Sequence, residues 1–259
     1  MLTNTMIVSD IDDTIKWSHI LGLPETVVEA LDYRLAFKGM PELYTSLATA
    51  GAKFAYVTGA PDVIIDRLQI DSIPHQVVVT NHFPDGEIYL HKCGEPIEDF
   101  KFTTIAEIMK ENPSFDFILI GDNGQKDVDT YAKLRQDKEV GSQVKEVFIH
   151  KIYDGAPSTE PKTDQHAFVT TAELAAMLYG LNYLNESDLQ SIVKIVYAGM
   201  NTSGYDRRLT LPFAAQLVSA KVDDIYGSIP KTIDSPTQTV LDAIHNLILK
   251  QAAEGPRRF

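Results

Sequence analysis

The chain has 259 residues, 44% of them apolar, a formal net charge of −13 and one cysteine, Cys93. That length suffices for a large core, either in one domain or in a domain with an appendage. The single thiol excludes an intrachain disulfide and sets a reducing, cytoplasmic compartment as the expectation, while the acidic balance argues against nucleic-acid binding, which needs clustered Lys and Arg.

No run approaches the roughly 18 apolar residues that a membrane span requires, and the first residues lack a basic, then apolar leader. No transmembrane segment is therefore expected, and peripheral contact with a membrane is left open. In chain order, "MIV" (6–8) reads as a buried strand that runs into "SDIDDT", where Asp10, Asp12 and Asp13 crowd together. "PETVVEALDYRLAF" (24–37) and "PELYTSLATAG" (41–51) read as helices, the second stopped by Gly51. "KFAYV" (53–57) reads as a strand with Thr58 at its end. "HQVVV" (75–79) reads as a third strand ending at Thr80, and "NHFPDGEIYLHK" (81–92) as hairpin-like.

Lys101 stands at the start of a helical "FTTIAEIMKEN" (102–112), which halts before Pro113. The strand "FDFILI" (115–120) then delivers Asp122, and "DVDTYAKLRQD" (127–137) opens with acids, as a helix N-terminus prefers. "VKEVFIH" (144–150) is a strand, "GAPSTEPKTD" (155–164) a connection and "TTAELAAMLYGL" (170–181) a helix. Beyond Asn185 the pattern is all-helical, near 186–199, 209–226 and 235–253. Strands alternating with helices imply an α/β fold, a parallel sheet with helices on both faces. The expected division is a domain over 1–185 and a helical C-terminal appendage over 186–259.

Ligands of such sheets bind at the carboxyl ends of the strands. Asp10 and Asp122 both emerge there if their strands are neighbours. Converging carboxylates need a cation, and Mg²⁺ suits hard oxygen ligands. Asp127 can reach back from five residues further on. Thr58 supplies a hydroxyl donor and Lys101 a cation for the oxygens of a phosphoryl group, with Asp10 as an in-line nucleophile.

"VSDIDDTIK", "YVTGAP", Lys101 and "ILIGDNGQKD" resemble the four signature motifs of the haloacid dehalogenase (HAD) superfamily. Over roughly residues 6–153 the chain is similar to the catalytic domain of the actin-patch-associated phosphatidate phosphatases. There the fourth motif usually has Ser where this chain has Asn123. The resemblance implies a Rossmann-like, HAD-like sheet with a minimal cap and a Mg²⁺-dependent phosphomonoester hydrolase.

It implies Asp10 as the nucleophile that becomes an aspartyl-phosphate and Asp12 as the acid and then base. Thr58 and Lys101 would hold phosphoryl oxygens, with Lys92 as the alternative lysine. Asp10, Asp122 and the Asp12 backbone carbonyl would be metal ligands, supported by Asp127. Asp13 is expected to face away and cap the next turn. Lys16 either points back over the site or is solvated.

The implied substrate is phosphatidate, with a soluble phosphomonoester or a phosphoprotein as alternatives. Trp17, Ile20, Leu21 and Leu23 either line an apolar rim for a lipid tail or pack a flap on the core, and packing is favoured. Two rivals are a non-catalytic phosphate/Mg²⁺-binding module whose helical part recruits a protein, and a signalling receiver domain. The complete motif set disfavours the first. Thr58 and Thr80, where the second needs an Asp, disfavour the other.

Overall fold

The computed structural model describes residues 2–18, 32–61, 73–91, 94, 96–124, 126–153, 158–202, 209–211, 219–229 and 232–254. Six strands, β1 (Thr5–Ser9), β2 (Lys53–Pro61), β3 (Glu87–His91), β4 (Asp116–Asp122), β5 (Val144–His150) and β6 (His166–Phe168), form one sheet. Their order is β3-β2-β1-β4-β5-β6, and every pairing is parallel. β1 lies between β2 and β4, with Ser9 opposite Tyr56 and Ile120.

A parallel sheet covered on both faces needs apolar residues at consecutive strand positions, and the strands separate them by parity. Ile7, Phe54, Tyr56, Ile118, Ile120 and Phe148 enter one apolar cluster. Their neighbours Val8, Ala55, Val57, Leu119, Val147 and Ile149 enter a second on the opposite face. The second face is covered by α3 (Ile97–Glu111) and α4 (Asp127–Gln136), and the first by α1 (Met40–Thr49), α2 (Ile73–Thr80) and α5 (Thr171–Gly180). The C-terminal part is all-helical, with α6 (Glu186–Met200), α7 (Ser219–Gly227) and α8 (Ser235–Glu254). Leu189, Val193 and Ile248 belong to the same apolar cluster as Ile7 and Ile118. No described helix is long and apolar enough to cross a membrane.

Several expected elements are corrected. "HQVVV" is not a strand but part of α2, which buries Pro74, Val77 and Val78 and leaves Val79 56% exposed. That is the i, i+3, i+4 spacing of a helix face, which outweighs the β-propensity of three valines. The third strand is instead "EIYLH", parallel to β2, so the described residues 81–91 form no hairpin. β2 runs on past Thr58 to Pro61 through a register shift, so Thr58 lies within the strand.

α3 starts at Ile97, with Glu98 and Asp99 in its first turn, which places Lys101 inside the helix. Residues 32–37 of the expected helix over 24–37 are turn and bridge, Ala36 pairing with Lys16, and residues 24–31 lie outside the described ones. Residues 209–211 form a turn instead of opening a helix, and Leu209 O accepts from Lys38 N (2.9 Å). Trp17 is packed in the core; Ile20, Leu21, Leu23, Lys92 and Cys93 lie outside the described residues.

Candidate active site

β1 and β4 end side by side, and Asp10 continues their ladder by donating its N–H to Ile120 O (2.9 Å). Asp122 is the last residue of β4. Asp127, the first residue of α4, turns back so that its Oδ2 accepts from Asp122 N (3.2 Å). Gly121 permits this return, because a Cβ there would overlap the Asp127 carboxylate. One oxygen from each of Asp10, Asp122 and Asp127 lies within 4.8 Å of the others, and all three residues are buried.

Lys101 completes the cluster. It sits four residues before Ile105 on the buried face of α3. Its Nζ donates to Asp10 Oδ1 (2.9 Å) and Asp127 Oδ1 (2.5 Å). Thr14 Oγ1 donates to Asp10 Oδ2 (3.1 Å).

Burial pushes the Asp10 carboxyl up to about 7. The pull of Lys101 opposes this, and the neighbouring Asp127 and Asp12 reinforce it. Burial, Asp127 and Asp10 likewise hold Asp122 well above the ordinary carboxylate range. Burial alone would lower Lys101, but the charges of Asp10, Asp127 and Asp122 raise it. The ammonium therefore stays charged, while Asp10 and Asp122 are pushed up. Three carboxylates against one ammonium leave an excess of buried negative charge that water does not screen. A divalent cation that takes oxygen ligands would supply the missing charge, so the donor set fits a divalent metal.

Asp12 and Thr58 stand beside this cluster rather than in it. Thr58 Oγ1 donates to Asp12 Oδ2 (3.2 Å) and Ser18 Oγ to Asp12 Oδ1 (2.5 Å). Lys16 is fully buried, not solvated. Its Nζ donates to Ser18 Oγ (2.6 Å) and lies 3.5 Å from Asp12 Oδ1. The Asp12 carboxylate is not one of the three that converge.

Asp13 takes the left-handed conformation (φ 60°), which costs a non-glycine residue roughly 1–3 kcal/mol. It turns from the cluster, its Oδ1 accepting from Ser18 N (2.8 Å) and its Oδ2 from Tyr153 OH (2.8 Å). The sequence alone does not separate a buried Lys16 from a solvated one. No local pattern marks Ser18 or Tyr153.

His150, opposite Asp122 on β5, supports the loop after β1. It is buried between Phe37 and Phe168, with Nδ1 3.2 Å from Thr14 O and Nε2 3.1 Å from Val169 O. Burial lowers it from 6.5 to about 4, against the pull of both carbonyls. Between those values the unfolded chain binds a proton that the folded chain refuses. His150 therefore contributes stability that is full above pH 6.5 and falls by about 3 kcal/mol as pH drops to 4. Urea unfolding from pH 7 to 4 should show a correspondingly smaller acid-induced loss in His150→Gln; an identical pH dependence would contradict this assignment.

The family model for the phosphatidate phosphatase APP1 catalytic domain matches residues 5–151, more than half the chain. The chain belongs to the APP1 catalytic-domain family. The match runs from β1 through β5 and includes Asp10, Asp12, Thr58, Lys101, Asp122 and Asp127. Phosphatidate phosphatase APP1 of Saccharomyces cerevisiae (strain ATCC 204508 / S288c) is 29% identical over 138 residues, covering 48% of this chain and 22% of that protein. The chain thus matches under a quarter of that APP1 relative's length. A solved structure of DsGPDH of Dunaliella salina superposes with TM-score 0.45 at 14% identity, over 77% of this chain and 34% of that one. Likeness of that degree carries no argument about chemistry.

Proposed function

We propose that the chain is a Mg²⁺-dependent phosphomonoester hydrolase of the HAD type, acting through an aspartyl-phosphate on Asp10, with phosphatidate or a soluble phosphomonoester as its substrate. The observation that carries this reading is the convergence of Asp10, Asp122 and Asp127 around Lys101 at the carboxyl ends of two neighbouring parallel strands. The catalytic unit of the proposal is residues 1–185, with 186–259 as its helical appendage. The family match, the Lys101 donor at Asp10 and the Thr58 donor at Asp12 support a phosphorylated substrate.

Asp10, Asp122 and the Asp12 backbone carbonyl would hold Mg²⁺, with Asp127 steadying Asp122 and Lys101. When bound, the ion neutralises phosphoryl charge and lowers the cost of an ionised Asp10. An Asp10 carboxylate oxygen forms a bond to phosphorus as the bond to the leaving oxygen breaks. Asp12 gives that oxygen its proton.

Asp12 then takes a proton from water, whose oxygen bonds to phosphorus and displaces the Asp10 carboxylate. Thr58 can steady a phosphoryl oxygen only by turning its hydroxyl away from Asp12 Oδ2. Lys101 keeps the transferring group and Asp10 in register.

The test is hydrolysis of an aryl phosphate and of phosphatidate in mixed micelles, with Mg²⁺ and with excess chelator. Multiple turnovers that cease on chelation and return with Mg²⁺ are expected. Binding of phosphate without turnover on either substrate would favour a non-catalytic module and overturn the proposal.

A further inference from the structure

The segments that carry Asp10 and Asp122, residues 10–18 after β1 and 121–124 across the end of β4, are joined by a residue that follows a third strand. Tyr153 lies three residues beyond the end of β5, and its side chain is buried. Its hydroxyl donates to Asp13 Oδ2 (2.8 Å), whose other oxygen accepts from Ser18 N (2.8 Å). These bonds fix the left-handed turn three residues past Asp10.

On the other side, Asn123 Oδ1 accepts from Ile152 N and Tyr153 N (3.0 Å each), and Asn123 Nδ2 donates to Tyr153 O (2.7 Å). A serine here could not bridge three backbone groups in this way. The Tyr153 ring lies against Gly124, where a Cβ would stand 2.5 Å from Cε2. Gly124 N in turn donates to Asp122 Oδ1 (2.5 Å). Tyr153 therefore touches both loops, and Asn123 clamps its backbone.

We propose that Tyr153 is a positioning residue, acting through Asp13 on one side and through Asn123 and Gly124 on the other. It fixes the spacing of the Asp10 and Asp122 loops and with it the cation geometry. The inference rests on the reading of those carboxylates as a metal-dependent phosphatase site.

Tyr153→Phe keeps the ring and removes only the hydroxyl. Mn²⁺ binding, read by electron paramagnetic resonance on the full chain, should weaken about tenfold. Turnover of an aryl phosphate should fall about tenfold with KM within about twofold, because the loss lies in geometry rather than in substrate contact. In an Asp13→Ala background, which removes the acceptor, the same change should add nothing, since the hydroxyl acts through Asp13.

Unchanged Mn²⁺ affinity in a folded Tyr153→Phe variant, or independent losses from the two changes, would overturn the positioning role. A wild-type chain that binds Mn²⁺ but turns nothing over would instead refute the phosphatase reading, and the affinity comparison would still decide the role of Tyr153. A wild-type chain that binds no Mn²⁺ would overturn both.

Discussion

Asp10→Asn should lower phosphomonoester turnover by about four orders of magnitude or more, because an amide cannot form the phosphoryl bond. The same variant should lose no stability without metal. Asn fills the same volume, and its oxygen can still accept from Lys101 while its amide faces Thr14 Oγ1. One charge also leaves a crowded buried set in which burial holds Asp10 at about 7. Wild-type Asp10 has its folded pKa raised, so its contribution to stability is full below pH 3.8 and lost as pH rises through about 7.

At pH 8, metal-free Asp10→Asn should therefore match or exceed the wild type in urea midpoint while being nearly inactive. A variant that is much less stable at pH 8, or one that keeps most of its turnover, would contradict the placement of Asp10. Such sites trade stability for chemistry, and removal of the strained charge reveals the exchange.

Lys101→Met should act in the opposite sense on stability. It leaves Asp10, Asp122 and Asp127 buried without their shared ammonium. Removing one partner of a buried ionic group typically costs about 3–5 kcal/mol. Here the loss depends on pH. Without Lys101, Asp10 and Asp122 are pushed up further, so protonation relieves the charge near pH 5 and the full loss appears near pH 8. Mg²⁺ should recover part of it at pH 8 and little at pH 5, because a protonated set binds metal poorly. Urea unfolding at both pH values, with and without Mg²⁺, reads all four terms. Equal stability of Lys101→Met and wild type at pH 8 without metal would show that Lys101 does not balance the cluster.

Much of this arrangement is legible in the sequence because strand ends are. "MIV" before Asp10 and "FILI" before Asp122 each mark a buried strand, and parallel α/β sheets gather such ends along one edge. The pairing of β1 with β4 then places the two carboxylates side by side.

What escaped the sequence depends on contacts between distant segments. The valines at 77–79 suit strand and helix equally over so short a run, and only packing decides for the helix. β3 is an edge strand whose Ile88, Tyr89 and Leu90 are only half-buried, so its apolar signal is weak. β6 has three residues and exists through its pairing with β5. Lys101 shows its burial only once α3 is extended back to Ile97, which aligns it with Ile105 and Met109 on one face. The ties from Tyr153 to Asp13, 140 positions apart, and from Thr58 to Asp12, 46 apart, have no local signature.

The central claim is that Asp10 carries the phosphoryl group during turnover. Acid-quenching the chain during incubation with an aryl phosphate and Mg²⁺, then locating any bound phosphoryl group by mass spectrometry, tests it most directly. The account predicts one phosphoryl group on the Asp10 carboxylate, lost under chelation and missing from Asp10→Asn. A phosphoryl group on another side chain, or turnover that persists undiminished in Asp10→Asn, would contradict it.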